Sequence, residues 1–179
     1  MKKTVSHVKG ARYHVRILLF ILKNNRHVIE IVKMEVYMKK TIGIIGGMGP
    51  MATVDLYRKI VDYTAASKDS EHIHVYIDSN TDIPDRTEAI LHGGKDPVPE
   101  MVGSAIRLEC MGADFLLIPC NTAHYFYDKI CPMVHIPILN MLEETALEVK
   151  RQSIACVGLL ATDGTIESGV YDQVLRSMV

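Results

Sequence analysis

The sequence predicts an α/β fold in which a parallel sheet is flanked by helices. Three observations predict it. From residue 41 onward, short apolar runs alternate with amphipathic segments of helical period. The apolar runs are near-continuous, as in strands buried on both faces. Glycine- and proline-containing turns separate the segments.

Taken in order, Thr41–Gly46 reads as the first strand, and Gly47-Met48-Gly49-Pro50 as a turn with Pro50 suited to a first helical turn. Ala52–Ala65 reads as a helix, with apolar positions at Val54, Leu56, Tyr57, Ile60 and Val61. His74–Asp78 is the second strand, and a polar loop runs from Ser79 to Arg86. Helices follow at Thr87–Leu91 and Val98–Met111, separated by Gly93, Gly94 and Pro97. Phe115–Pro119 is the third strand, and Thr122–Ile130 a helix that ends near Pro132. Ile136–Leu139 is the fourth strand, and Met141–Arg151 a helix with glutamates in its first turn, where its dipole favours them. Ile154–Leu160 is the fifth strand, followed by a loop with Thr162, Asp163, Gly164 and Thr165 and a helical piece to Val179. Right-handed crossovers bring the C-terminal ends of parallel strands to one edge, where ligands of open α/β sheets bind. The loops expected there begin with Gly47-Met48-Gly49, Ser79-Asn80, Cys120-Asn121-Thr122, Asn140 and Thr162.

Composition narrows the function. The chain has 179 residues, 48% hydrophobic and 23% charged, which is the make-up expected of a soluble globular protein. Its net charge of −1 hides an asymmetry. Residues 1–37 hold eight Lys/Arg against two Glu, so that segment carries +6 and the remainder −7. Met-Lys-Lys-Thr occurs at Met1–Thr4 and again at Met38–Thr41, where it runs directly into the first strand. Residues 1–37 are therefore read as a basic extension of no catalytic role, with a short helix or strand around Val15–Val32. Ile17–Leu22 is too short to span a bilayer, which needs about 20 residues, and no small-residue cleavage site follows it. No membrane partner is expected. Residues 38–179 show no stacked aromatics or basic groove, so no nucleic-acid partner is expected either. Cys110, Cys120, Cys131 and Cys156 form no C-x-x-C pair, so no metal site is expected. The thiols read as reduced and the compartment as cytoplasmic.

Cys120 is the sharpest chemical feature. It stands between an apolar strand and a helix, in Pro119-Cys120-Asn121-Thr122-Ala123-His124. Free amide groups and the dipole at a helix start favour a thiolate and also attract a carboxylate. A base that takes a proton from a carbon beside a carboxylate needs both. The simpler reading is a small buried side chain, but the polar run after Cys120 favours function. Arg86 can hold a carboxylate bidentately, although spacing alone favours pairing with Asp82 or Asp85. His124, one turn after Cys120, admits a Cys–His pair, although a packing role is simpler. Gly47-x-Gly49-x-x-Ala52 fits a relaxed dinucleotide-binding pattern. The acidic residue that should follow is at best Asp78, which lies too far on. Cys110, Cys131 and Cys156 read as packing residues.

Several separate motifs now agree in order and spacing. They are Thr41-Ile-Gly-Ile-Ile-Gly-Gly-Met-Gly-Pro50, Ile83-Pro-Asp-Arg-Thr87, Gly112-Ala-Asp-Phe115 leading to Pro119-Cys-Asn-Thr-Ala-His124, Gly158-Leu-Leu-Ala-Thr162 and Gly164-Thr165. Together, from Met38 to the end, they resemble the aspartate/glutamate racemase family, and aspartate racemases most closely. The resemblance implies two α/β lobes related by a pseudo-twofold, each giving one cysteine to a cleft. It implies an acidic amino acid as substrate and no cofactor, neither pyridoxal phosphate nor metal. It makes Cys120 the first-lobe thiol, and Asn121 and Thr122 binders of the α-carboxylate. Met48 and Asn80 become first-lobe wall, Arg86 the grip on the side-chain carboxylate, and Thr162 a residue reaching over from the second lobe. On this basis residues 38–150 are the first lobe and 151–179 the beginning of a second. The family's second cysteine lies in a Gly-Cys-Thr-type motif that these 179 residues do not contain. The expectation is a C-terminally truncated member with impaired racemisation, whose exposed cleft face favours a homodimer. A non-catalytic binder of a small dicarboxylate and a nucleotide-binding module remain the alternatives.

Overall fold

The structure, a computed structural model, describes residues 6–7 and 40–178. The expected helix or strand around Val15–Val32 lies outside these residues. Among the described residues six strands occur in chain order: β1 (Ser6–His7), β2 (Ile42–Gly46), β3 (Val75–Ser79), β4 (Phe115–Leu117), β5 (Ile138–Leu139) and β6 (Gly158–Leu159). Seven α-helices accompany them in the same residues: α1 (Pro50–Tyr63), α2 (Arg86–Leu91), α3 (Val98–Cys110), α4 (Tyr127–Ile130), α5 (Met141–Arg151), α6 (Asp163–Glu167) and α7 (Val170–Met178). Four strands form one parallel sheet in the order β3-β2-β4-β5. The predicted α/β class and parallel sheet are therefore observed.

The sheet is buried on both sides by period-two alternation along β2. Ile42 and Ile44 pack with Leu56 and Ile60 of α1. Ile45 points the other way, into the larger core with Met101, Ala105 and Leu108 of α3. A strand enclosed by both layers needs apolar residues at every position, which explains the uninterrupted Ile42–Gly46 run. Along α1 the buried stripe is Thr53, Leu56 and Ile60. Val54, Tyr57 and Val61, expected in the apolar face, are exposed. Of the five apolar positions, the sheet covers Leu56 and Ile60.

A second, smaller core gathers Leu142 and Ala146 of α5, Leu159 of β6, and Val170, Tyr171 and Leu175 of α7. The expected strand Ile154–Leu160 is reduced to Gly158–Leu159 and pairs in parallel with β1 rather than with the four-stranded sheet. Cys156 therefore lies before a strand, not within it, and is exposed. Cys110, at the last position of α3, is exposed as well. Neither is the packing residue that its apolar neighbours suggested. Cys131, half-buried against the larger core, does pack.

The chain leaves β2 to reach β3 on one side, then crosses back over it to β4 on the other. This reversal opens a crevice between the C-terminal ends of β2 and β4, the usual ligand position of such sheets. The β2 side of the crevice is set by Gly47. Its φ is +88°, and a Cβ built there would lie 2.2 Å from the Asn80 carbonyl oxygen. Thr53 Oγ1 fixes the turn by accepting from Gly47 N at 3.1 Å and donating to Gly49 O at 3.4 Å. Replacing Gly47 with Ala is expected to destabilise the chain by at least about 2 kcal/mol, through strained backbone and the clash with residue 80. Urea unfolding of the variant checks this; an unchanged midpoint would contradict the account.

Candidate active site

At that crevice lies a cavity of about 430 Å³, lined by residues 48–52, 85–87, 119–122, 161–162 and 165. Four separate stretches of sequence thus meet at the predicted edge. Cys120, Met48, Arg86, Asn121, Thr122 and Thr162, all named from the sequence, line it. Asn80 does not. Its side-chain amide donates toward Glu100 Oε2 (3.3 Å) and Ser104 Oγ (3.4 Å), and its Oδ1 accepts from Asp82 N (3.0 Å). Asn80 serves the crevice only through the backbone that packs on Gly47. Asn140 caps α5 through Oδ1 at Leu142 N (3.0 Å) and is not in the lining.

Cys120 follows the end of β4 and is half-buried at the cavity wall. Burial pushes its thiol above the ordinary value. The positive charge of Arg86 opposes this, as do hydrogen bonds from Arg86 and the backbone N–H groups of Ala123 and Thr122. The expected shift toward neutrality is thus reversed: desolvation outweighs the anion-stabilising groups. The expected helix Thr122–Ile130 is also changed. It begins as a 3-10 turn over Thr122–Phe126 and becomes α-helical only at α4. A single tight turn has little macrodipole, so individual N–H groups and one guanidinium do the work assigned to a helix start.

Arg86 is held in place by main-chain oxygens. Nη1 donates to Ile83 O (3.2 Å) and Pro84 O (3.0 Å), and Nη2 to Met48 O (3.5 Å). Nε is buried without a hydrogen-bond partner among the described residues. The Asp85 side chain is engaged elsewhere, its Oδ1 accepting from Glu88 N at 2.8 Å as the cap of α2. A surface pairing of Arg86 with Asp85 is therefore not what this arginine does.

The far wall comes from the chain after β6. Thr122 Oγ1 lies 3.1 Å from Thr162 Oγ1 and 2.7 Å from Thr165 Oγ1, and the latter two are 2.9 Å apart. Thr165 is 1% exposed. From the sequence it stands only beside Gly164 in the Gly164-Thr165 motif, with no role attached. Gly164 allows the close approach: a Cβ there would meet Thr87 Oγ1 at 2.6 Å. Asn121 is fixed as well, its Oδ1 accepting from Tyr171 of α7 at 2.6 Å.

His124 is buried and doubly bonded. Nδ1 is 2.8 Å from Cys120 O, and Nε2 is 3.2 Å from Met141 N. A carbonyl only accepts and an amide N–H only donates, so Nδ1 carries the proton and Nε2 the lone pair. The ring is neutral, with its pKa lowered by burial to about 4. Both nitrogens are engaged, so His124 cannot serve Cys120 as a general base, and a Cys–His hydrolase pair is absent. The dinucleotide reading fares no better. Asp78 is engaged by Arg107 (Nη2–Oδ2 2.7 Å), and the need for glycine at position 47 is met by the backbone of residue 80. Among the described residues no group of three His, Cys, Asp or Glu side chains is placed to hold a metal ion, and no helix is long and apolar enough to cross a membrane.

The sequence profile of the Asp/Glu/Hydantoin racemase family matches residues 45–179. The chain is 34% identical over 148 residues to a broad specificity amino-acid racemase of Bacillus subtilis (strain 168), covering 75% of this chain and 60% of that protein. Its structure is similar to an aspartate racemase from Picrophilus torridus, with a TM-score of 0.73 and 36% identity over 78% of this chain and 59% of that one. An aspartate racemase homologue from Pyrococcus horikoshii OT3 gives a TM-score of 0.65 and 25% identity, covering 78% of this chain and 61% of that one. The chain thus spans about three fifths of the length of these relatives.

The buried imidazole links stability to pH. Its folded-state pKa of about 4 lies below the unfolded value of about 6.5. Its contribution is complete above pH 6.5 and is lost as pH falls toward 4, by up to about 3 kcal/mol. Urea midpoints at pH 7.5, 6, 5 and 4 check this; a His124→Asn variant should show a smaller loss over the same range.

Proposed function

The chain belongs to the Asp/Glu/hydantoin racemase family, and on that premise we propose that its pocket binds an acidic amino acid and that Cys120 exchanges the Cα proton without a cofactor. One observation carries the reading. Of the four thiols only Cys120 lines the cavity, and it does so beside Arg86, the one cationic side chain in the lining among the described residues.

In this reading the Cys120 thiolate takes the Cα proton and becomes a thiol, leaving the electron pair on the carbon beside the carboxylate. Arg86 offers its charge to the thiolate and then to the substrate carboxylate. Its Nη groups already serve three carbonyls, so its part is electrostatic rather than a bidentate grip. The main chain at Asn121 and Thr122 receives the α-carboxylate, Met48 forms the wall, and Thr162 closes the far side. Residues 38–150 make up the first lobe and 151–179 the opening of the second. The exposed apolar stripe Met51, Val54, Tyr57 and Val61 on α1 supports a homodimer, and four cysteines outside any disulfide suit a reducing cytoplasm.

Inversion requires acid–base groups on opposite faces of Cα. Cys110, Cys131 and Cys156 do not line the cavity. The 179-residue chain is therefore expected to exchange the α-proton of aspartate or glutamate for deuterium in D₂O far faster than it racemises them. Cys120→Ser should lower exchange by roughly 100-fold or more. Racemisation as fast as exchange would contradict the one-thiol account, and unchanged exchange in Cys120→Ser would end the cysteine reading.

Because burial raises the Cys120 thiol, the thiolate fraction and the exchange rate should climb through neutral pH with no plateau below about pH 8.5, the ordinary thiol value. Arg86→Ala removes the opposing charge and should raise the thiol further. A rise of one pKa unit makes exchange at pH 7.5 about tenfold slower. A plateau at pH 7 in the unmodified chain, or an Arg86→Ala profile that overlays it, would contradict this.

A further inference from the structure

We propose that His124 is a positioning residue that holds the peptide carbonyl of Cys120 and ties the sulfur-bearing turn to the start of α5. The inference rests on the thiolate reading of Cys120 and adds the device that sets the sulfur's surroundings.

In an α-helix the N–H of residue 124 would donate to the carbonyl of residue 120. Here the turn is tightened to 3-10, and His124 N donates to Asn121 O instead (3.1 Å). The Cys120 carbonyl takes the imidazole Nδ1 proton in its place (2.8 Å). The amides of Thr122 and Ala123 are then directed at the Cys120 sulfur. The 120–121 peptide opens the turn that carries those amides, and His124 holds it from the carbonyl side.

The other end of the ring reaches a different part of the chain. Nε2 accepts from Met141 N at 3.2 Å, the first residue of α5 and of the segment leading into the smaller core. Tyr127 reinforces the clasp. Its ring is stacked with His124 at 6.1 Å and 7°, and its hydroxyl donates to Ile138 O at 2.6 Å. Two side chains from one short segment therefore grip the 138–141 connection. Only a neutral imidazole offers a donor and an acceptor on opposite sides of one rigid ring; lysine and arginine lack the acceptor. The ring is 5% exposed, and burial keeps it neutral. Tyr127 is the titratable group stacked on His124, and Arg86 the charged group beside the sulfur.

The test reads the sulfur and the ring separately. Iodoacetamide alkylation of the Cys120 peptide is followed by mass spectrometry, because exposed Cys110 and Cys156 also react. His124→Asn retains a donor near the Cys120 carbonyl and should alkylate within about twofold of the unmodified chain. His124→Phe, which fills the space without a donor, should be about tenfold slower at pH 7.5, one pKa unit of thiolate lost. A merely structural role predicts the opposite, since loosening the turn would expose the thiol and speed its reaction. Phe-variant rates equal to or above those of the unmodified chain overturn the proposal. Independently, ¹⁵N NMR of the unmodified chain should show His124 as the neutral Nδ1–H tautomer from pH 7.5 to 5.5. An Nε2–H tautomer, or protonation in that range, overturns it even if the variants do not fold. Should Cys120 in the unmodified chain alkylate without pH dependence, the thiolate reading fails, and the NMR result alone decides the clasp.

Discussion

The arrangement depends on the opposition between desolvation of one sulfur and a single immobilised guanidinium beside it. Burial alone makes ionisation of Cys120 harder. Arg86 is cationic at any accessible pH, and three carbonyl oxygens hold it where its charge reaches the thiol. The balance matters because a thiolate stabilised too fully is a weak base. A sulfur left somewhat high in pKa is less often ionised, but it takes a proton more strongly when it is. The proposed removal of a proton from carbon calls for the second property, and Arg86 and two amides limit the loss of the first.

The sheet topology makes that opposition possible. The reversal between β2 and β4 leaves a crevice that neither crossover fills, and the loops leaving those strands supply the turn at residues 47–49 and the Pro119–Asn121 segment. Gly47 lets the first loop approach the backbone of Asn80, so the chain after β3 can swing back and deliver Arg86 to the same place. Thr53 ties the turn to α1, so a residue that looks like ordinary helix packing also fixes the floor of the cavity.

Much of this was legible in the sequence. Uninterrupted apolar runs mark strands covered on both faces, and a parallel sheet has one edge where their ends meet, so Met48, Cys120 and Thr162 could be placed together without coordinates. What could not be read depends on tertiary partners. Asn80 stands at a strand end like the others, but α3 offers it Glu100 and Ser104, and it turns away. Of the five apolar positions on α1, only the neighbouring sheet decided which were covered. The state of Cys120 was misread for a related reason. A polar run after a strand suggests a helix start and a lowered pKa, whereas the 3-10 turn and burial emerge only when Ala123 and Phe126 enter the core.

The threonine wall shows how far the lining is already committed. Three hydroxyls have three protons, and the three contacts among Thr122, Thr162 and Thr165 use all of them when arranged head to tail. An anion arriving at Thr122 then meets lone pairs, which repel it, unless one bond of the ring opens. The Asn121 side-chain Oδ1 likewise faces Tyr171 rather than the cavity. Donors for a carboxylate must therefore come from the main chain of the Cys120 turn and the charge of Arg86, or from a threonine freed by a shift of α6. Because Thr165 and Thr162 belong to the chain after β6, such a shift moves the far wall and the proposed anion site together. On the proposed function, opening of the wall and binding of a carboxylate are coupled through the same hydroxyl protons.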